Sequence, residues 1–157
     1  MQCVLTKSVA AGALVAAMLA AAPAIATESD DAGLFIVRQL EQPPQEASAL
    51  VRNYAQMNDD WLFLAEFGLA GGQVTALKIC YPEIGPDIVA AGMHAMAMMP
   101  CGHFAFYEED GQSMMSMLDL SFMTTLDPHP ALEDARATAS PAFAAMLADV
   151  LGVDIGS

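Results

Sequence analysis

The stretch HFAFYEEDGQSMMSMLDL, residues 103–120, decides the fold. Apolar and polar residues alternate on both sides of Asp110-Gly111, and such a dipeptide between two alternating runs is a strong signal for a two-residue hairpin turn. Strand side chains alternate between the two faces of a sheet, so pairing across this turn gathers apolar residues on one face. The residues of this predicted buried face are Phe104, Phe106, Met115 and Met117.

Outward from this hairpin, hydrophobic periodicity predicts the other elements. Strands are expected at 33–40, 61–70 and 73–80, helices at 45–58 and 86–99, and two helices or one kinked helix over 132–151. Gly71-Gly72 predicts a second hairpin, with Phe63 opposite Cys80. The order β-α-β-β-α-β-β-α predicts an α+β fold, an antiparallel sheet of hairpins with helices packed on one face.

The first 26 residues have the pattern of a secretory signal peptide. Lys7 precedes an apolar run of 14 residues, and Ala24-Ile25-Ala26 fits the small-x-small cleavage rule. The run is shorter than the ~20 residues that a membrane-spanning helix needs, although an uncleaved anchor or a buried helix is the alternative. We therefore expect a periplasmic or secreted protein, with its boundaries at 1–26 (signal peptide), 27–32 (acidic lead), 33–152 (single α+β domain) and 153–157 (C-terminal tail).

The chain is strongly acidic, with 19 Asp and Glu against 5 Lys and Arg and a formal net charge of −14. Loss of Lys7 with the signal peptide would bring the charge near −15. Such a surface repels phosphate backbones and excludes nucleic acid as a partner. The rest of the chain contains no second long apolar segment, so we expect no membrane span. The acidity either keeps an exported protein soluble or attracts a cation or a basic protein partner.

Two cysteines in the middle of the chain lie within distinctive sequence motifs. Ile79-Cys80-Tyr81-Pro82 is followed by Met99-Pro100-Cys101, by a run of aromatic residues from Phe104, and by Asp110-Gly111. This arrangement resembles the domain of unknown function family 302. The resemblance implies a small α+β fold similar to the TATA-binding-protein-like class, often assembled as a homodimer, and it implies no established reaction.

Cys80 and Cys101 are also the candidates for thiol chemistry, because Cys3 precedes the signal's apolar run and should leave with it. In an oxidising exterior a pair of thiols normally forms a disulfide. A reduced or labile pair could instead serve as a redox couple or a soft-metal site, and unpaired inert thiols are a third interpretation. The spacing is not CxxC, so thioredoxin-type chemistry is poorly supported.

Residues 93–103, MHAMAMMPCGH, combine thioether, imidazole and thiol groups, which suit Cu(I). On a helix, i and i+4 share a face, and on a strand alternate residues do. The candidate copper ligands are therefore His94 and Met98 with Cys101 and His103, and Gly102 would allow close approach of a ligand. Methionines at such positions more often fill a core, and mobile methionines as targets of oxidants are a third interpretation.

No Gly-rich phosphate loop, H-E-x-x-H or G-x-S-x-G motif is present, so no catalytic residue is assigned and the pattern favours a non-enzymatic role. The first hypothesis is an exported binding or accessory protein, with a ligand or copper near the cysteines and histidines. The alternatives are a thiol-redox protein that cycles a Cys80–Cys101 disulfide, or a structural or interaction domain with a fixed disulfide.

The signal-peptide prediction places the mature N-terminus at Thr27. The intact mass of the exported protein is therefore expected to match residues 27–157. A mass that retains Met1 or Cys3 would contradict the prediction.

Overall fold

Five antiparallel strands form one sheet, in the order β1-β5-β4-β3-β2. The structure is a computed structural model and describes residues 33–98 and 101–156; the predicted signal peptide and acidic lead lie outside the described residues. The strands are β1 (Phe35–Leu40), β2 (Leu62–Leu69), β3 (Val74–Cys80), β4 (Cys101–Glu109) and β5 (Gln112–Leu118). The helices are α1 (Pro44–Met57), α2 (Gly85–Ala91), α3 (Phe122–Leu126) and α4 (Pro130–Leu151).

The β4–β5 hairpin forms as the sequence predicts. Glu109 pairs with Gln112 across the turn, and both turn residues have positive φ, 51° at Asp110 and 76° at Gly111. Two consecutive positive φ angles are typical of the type I′ turn, which matches the twist of paired strands. The four residues expected to form a buried face are all buried. The α+β prediction, with an antiparallel sheet, is confirmed.

The two faces of the sheet have different surroundings. One face packs against α1 and α4 and forms the hydrophobic core, to which the strands contribute Ile36, Leu40, Leu77, Ile79, Phe104, Phe106, Met115 and Met117. The alternate residues of the same strands point away from this core. We call this second side the open face; around its centre it carries Ala76, Lys78, Cys80, Cys101, His103 and Ala105.

The predicted register of the β2–β3 hairpin is wrong by one residue at its far end. Cys80 pairs with Leu62, and Phe63 pairs with Ile79 on the core side. The reason is an irregularity between Phe63 and Ala65, because a bulge shifts every residue before it to the other face. Beyond the bulge, the predicted grouping of Ala65 with Cys80 on one face is correct.

The helices also depart from the periodic pattern at two places. The helix expected over 86–99 ends at Ala91, because Gly92 has a φ of 128°, and residues Met93–Met98 form a 3₁₀-helix instead. The last helix is continuous from Pro130 to Leu151 with Pro141 inside it, so the alternative of two separate helices is wrong. Helix α3 was not predicted.

Among the described helices, none is both long enough and apolar enough to cross a membrane.

Gly102 of β4 lies at the contact between the sheet and α4. It pairs with Ile79 on the core side, and a Cβ added there would lie 2.6 Å from a ring carbon of Phe104 and closer still to the ring of Phe143. The space that the sequence suggested for a ligand is therefore filled by two aromatic rings from the protein's own core.

Gly102→Ala is expected to destabilise the fold by about 1–3 kcal/mol, because a buried methyl group would force two packed rings to move. The measurement is urea unfolding followed by circular dichroism. Gly85→Ala is the matched control, since that glycine has no atom within 4 Å of the added Cβ and an ordinary helical φ of −53°. Equal stability of the two variants would contradict the packing argument.

Candidate functional site

Cys80 and Cys101 lie directly opposite each other on neighbouring strands. Cys80, the last residue of β3, pairs with Cys101, the first residue of β4, and their Sγ atoms are 2.7 Å apart. Residues opposite each other in an antiparallel pair have Cα atoms about 4.5–5.5 Å apart, within the range that a disulfide spans. Each cysteine is only 3% exposed. The strand pairing therefore brings together two thiols that are 21 residues apart in the chain.

The two thiols differ in acidity. The hydrogen bond with Cys80 lowers the pKa of Cys101 to about 7, with the charge of Lys78 acting in the same direction and burial acting against it. The same hydrogen bond is the largest cause that raises the pKa of Cys80. Burial of Cys80 and the charge of Cys101 raise it further. A thiol that donates to a thiolate must keep its proton, so one partner is stabilised as thiolate while the other stays protonated.

Lys78 and His103 form the next pair on the same face. They lie opposite each other, Lys78 two residues before Cys80 and His103 two residues after Cys101. Alternate residues share a strand face, so these four side chains occupy two adjacent rows of the open face. Desolvation by the surrounding protein atoms and the charge of Lys78 lower the pKa of the exposed His103, which keeps its imidazole neutral at physiological pH.

The structure brings together two of the four candidate copper ligands. Cys101 and His103 share the open face as predicted. The ring of His94 is 73% exposed, and its Nε2 lies 3.2 Å from Oδ2 of Asp127, which follows α3. The Met98 side chain lies outside the described residues. Within the described part of the chain, no group of three or more His, Cys, Asp or Glu side chains is arranged to hold a metal ion.

The helical argument that joined His94 to Met98 is wrong for this segment. Both residues belong to the 3₁₀-helix at Met93–Met98. A 3₁₀-helix has three residues per turn, so i and i+3 align and i and i+4 point about 120° apart. Gly92 causes the difference, because its φ of 128° ends the α-helix before either residue.

Lys78 is the site residue that the sequence did not single out. Its place on the same face as Cys80 follows from strand alternation alone, so the sequence pattern could have identified Lys78 as a neighbour of the thiol. Its position opposite His103 was not readable, because three helical segments separate β3 from β4 and their pairing is non-local.

Residues 59–151 match the model of the family described as domain of unknown function DUF302. Among solved structures, the fold is similar to that of an uncharacterized conserved DUF302 protein from Bacillus stearothermophilus, with a TM-score of 0.64 and 15% sequence identity. The similarity covers 75% of this chain and 98% of that one. At this identity it establishes the shared fold alone. No curated protein matches the chain.

Removal of the Cys80 hydrogen-bond donor should raise the pKa of Cys101. In the reduced protein, the ultraviolet absorbance of the Cys101 thiolate is expected to titrate near pH 7, because Cys80 retains its proton. Cys80→Ala is expected to move this titration to higher pH, whereas Cys80→Ser keeps a hydroxyl donor and should move it less. The same midpoint in both variants would show that the hydrogen bond does not set the acidity.

Proposed function

This chain belongs to the DUF302 family, a domain of unknown function, and we propose that it is an exported accessory protein that works as a reversible thiol–disulfide couple through Cys80 and Cys101. One observation carries the proposal: the two Sγ atoms are 2.7 Å apart on directly opposed strand residues. Conversion between the dithiol and the disulfide therefore needs only a small movement of two side chains.

The same separation favours a disulfide over the copper hypothesis. Metal–thiolate bonds are about 2.3 Å long for zinc, and two such bonds at a tetrahedral angle hold their sulfur atoms about 3.8 Å apart. A soft metal between Cys80 and Cys101 would therefore have to push the thiols apart. Nε2 of His94 lies 3.2 Å from Oδ2 of Asp127, so this nitrogen would have to leave that contact to bind copper.

The unequal acidities favour a working couple over a fixed structural bond. A thiolate that is stabilised by its surroundings stabilises the reduced protein, and the disulfide becomes easier to reduce. The charge of Lys78 contributes to the lowered pKa of Cys101 and opposes the rise in the pKa of Cys80. The buried position of the pair limits reaction with large partners.

The export and partner parts of the proposal rest on the sequence. The signal-peptide pattern supports work outside the cytoplasm, where disulfides persist. The net charge of −14 supports attraction of a cation or a basic protein partner to the protein surface away from the thiol pair. A homodimer is proposed only from the family resemblance.

The reduction potential of the Cys80–Cys101 pair tests the proposal. It is expected to lie well above about −300 mV, the region below which structural disulfides of secreted proteins usually fall. Equilibration in glutathione buffers, followed by alkylation and mass measurement, gives the value. Cys80→Ser combined with Cys101→Ser is the control for signals that do not come from the pair.

A potential below about −300 mV would leave a structural disulfide as the function of the pair. Titration of the reduced protein with Cu(I) against a competing chelator decides the copper hypothesis. Binding that is lost in Cys101→Ser and weakened in His103→Ala would favour copper over the redox couple, whereas wild-type binding equal to that of Cys101→Ser would exclude it.

A further inference from the structure

The charges near the thiol pair are unlike those of the chain as a whole. The chain carries a formal net charge of −14, yet Lys78 lies beside the pair on the open face. Among the described residues, Lys78 is the one charged side chain whose field changes the acidity of Cys80, Cys101 and His103, apart from the thiols themselves. Lys78 therefore places one positive charge beside the sulfur atoms.

The pair is also shielded from bulky molecules. Both cysteines are 3% exposed, whereas Lys78 beside them is half-buried and His103 is exposed. A reagent that reaches the sulfur atoms must be small, and Lys78 and His103 lie in the adjacent row of the open face. Alternate residues on a strand are about 7 Å apart, so an anionic group held at Lys78 leaves room for a short chain that ends at Cys80.

We propose that the exchange partner of the Cys80–Cys101 couple is a small thiol that carries a negative charge, held by Lys78 on the open face of the sheet. This inference rests on the proposed redox function and adds the class of its substrate. His103, opposite Lys78, is a neutral hydrogen-bonding group at the same place.

The exchange is balanced with two molecules of the small thiol. The thiolate of the first attacks Sγ of Cys80, the bond between Cys80 and Cys101 breaks, and its electron pair stays on Cys101. The thiolate of the second attacks the sulfur of the first, which forms a small disulfide and releases Cys80 as a thiolate that takes a proton from water. The two small thiols are oxidised, and the protein disulfide is reduced.

Three reagents of similar size test the charge preference: mercaptoethanesulfonate, mercaptoethanol and aminoethanethiol. The rate of reduction of the oxidised protein is measured for each and divided by the rate of the same reagent with an uncharged small disulfide at the same pH, because thiols of different pKa differ in thiolate fraction and in intrinsic nucleophilicity. The anionic reagent is expected to react about six times faster than the neutral one, as expected for one charge about 4 Å from the Lys78 ammonium in a mostly aqueous environment. The cationic reagent should be slower than both.

Lys78→Gln is expected to abolish the preference for the anionic reagent, and Lys78→Arg to keep it. Arg136→Gln is the matched control, because it removes the same charge from α4, in the helix layer, and should leave the preference unchanged. Circular dichroism and thermal melting establish that each variant is folded.

The salt dependence of the wild-type protein gives a test that needs no variant. If Lys78 governs the approach, the rate with mercaptoethanesulfonate falls as salt is added, because screening weakens a local attraction. If the overall negative charge governs it, the rate rises. A rise with salt, or equal rates for the anionic and neutral reagents, would overturn this inference and leave the redox couple standing. Failure of all three reagents to reduce the protein would overturn the couple itself.

Discussion

The contact between Phe143 of α4 and Gly102 of β4 fixes which face of the sheet is covered. A ring fits there because Gly102 has no side chain, and even a methyl group would collide with Phe104 and Phe143. Residues alternate across a strand, so the inward position of Gly102 sends Cys101 and His103 outward. The candidate site is thus a consequence of core packing on the opposite side of the same strand.

The register of β3 against β4 then assembles the site. Pairing of Ile79 with Gly102 in the core places Cys80 opposite Cys101 and Lys78 opposite His103 on the open face. A slip by one residue would separate the thiols and also turn apolar side chains out of the core. The hydrophobic energy of the covered face therefore maintains the geometry of the thiols, although none of the four site residues belongs to that core.

Family membership explains the architecture and leaves the chemistry to this chain's own residues. The same fold can carry unrelated functions, and a structural neighbour at 15% identity transfers no role to individual side chains. The electrostatic contrast at the site is a property of this sequence: a lysine next to two thiols in a chain with 19 acidic residues. At physiological ionic strength, charges beyond about 8 Å are strongly screened, which lets one nearby cation outweigh a distant acidic surface.

The sequence by itself determined the features that depend on local pattern. Asp110-Gly111 fixed the central hairpin and its buried side chains, because two consecutive positive φ angles are easiest for these residues and the side-chain period of a strand is two. Periodicity also placed every strand and the helix α1 to within a few residues. The shared faces of Cys101 with His103 and of Lys78 with Cys80 follow from the same alternation.

Only the tertiary structure decided what depends on non-local contact. The partner of β3, the bulge between Phe63 and Ala65 and the pairing of His94 with Asp127 all join residues through packing rather than through adjacent sequence. Pro141 within α4 shows packing overriding a local helix-breaking preference, because the surrounding face of that helix is buried in the hydrophobic core. The thiol pair belongs to this second class: the sequence supplies two cysteines 21 residues apart, and the burial of one face of the sheet brings their sulfur atoms into contact.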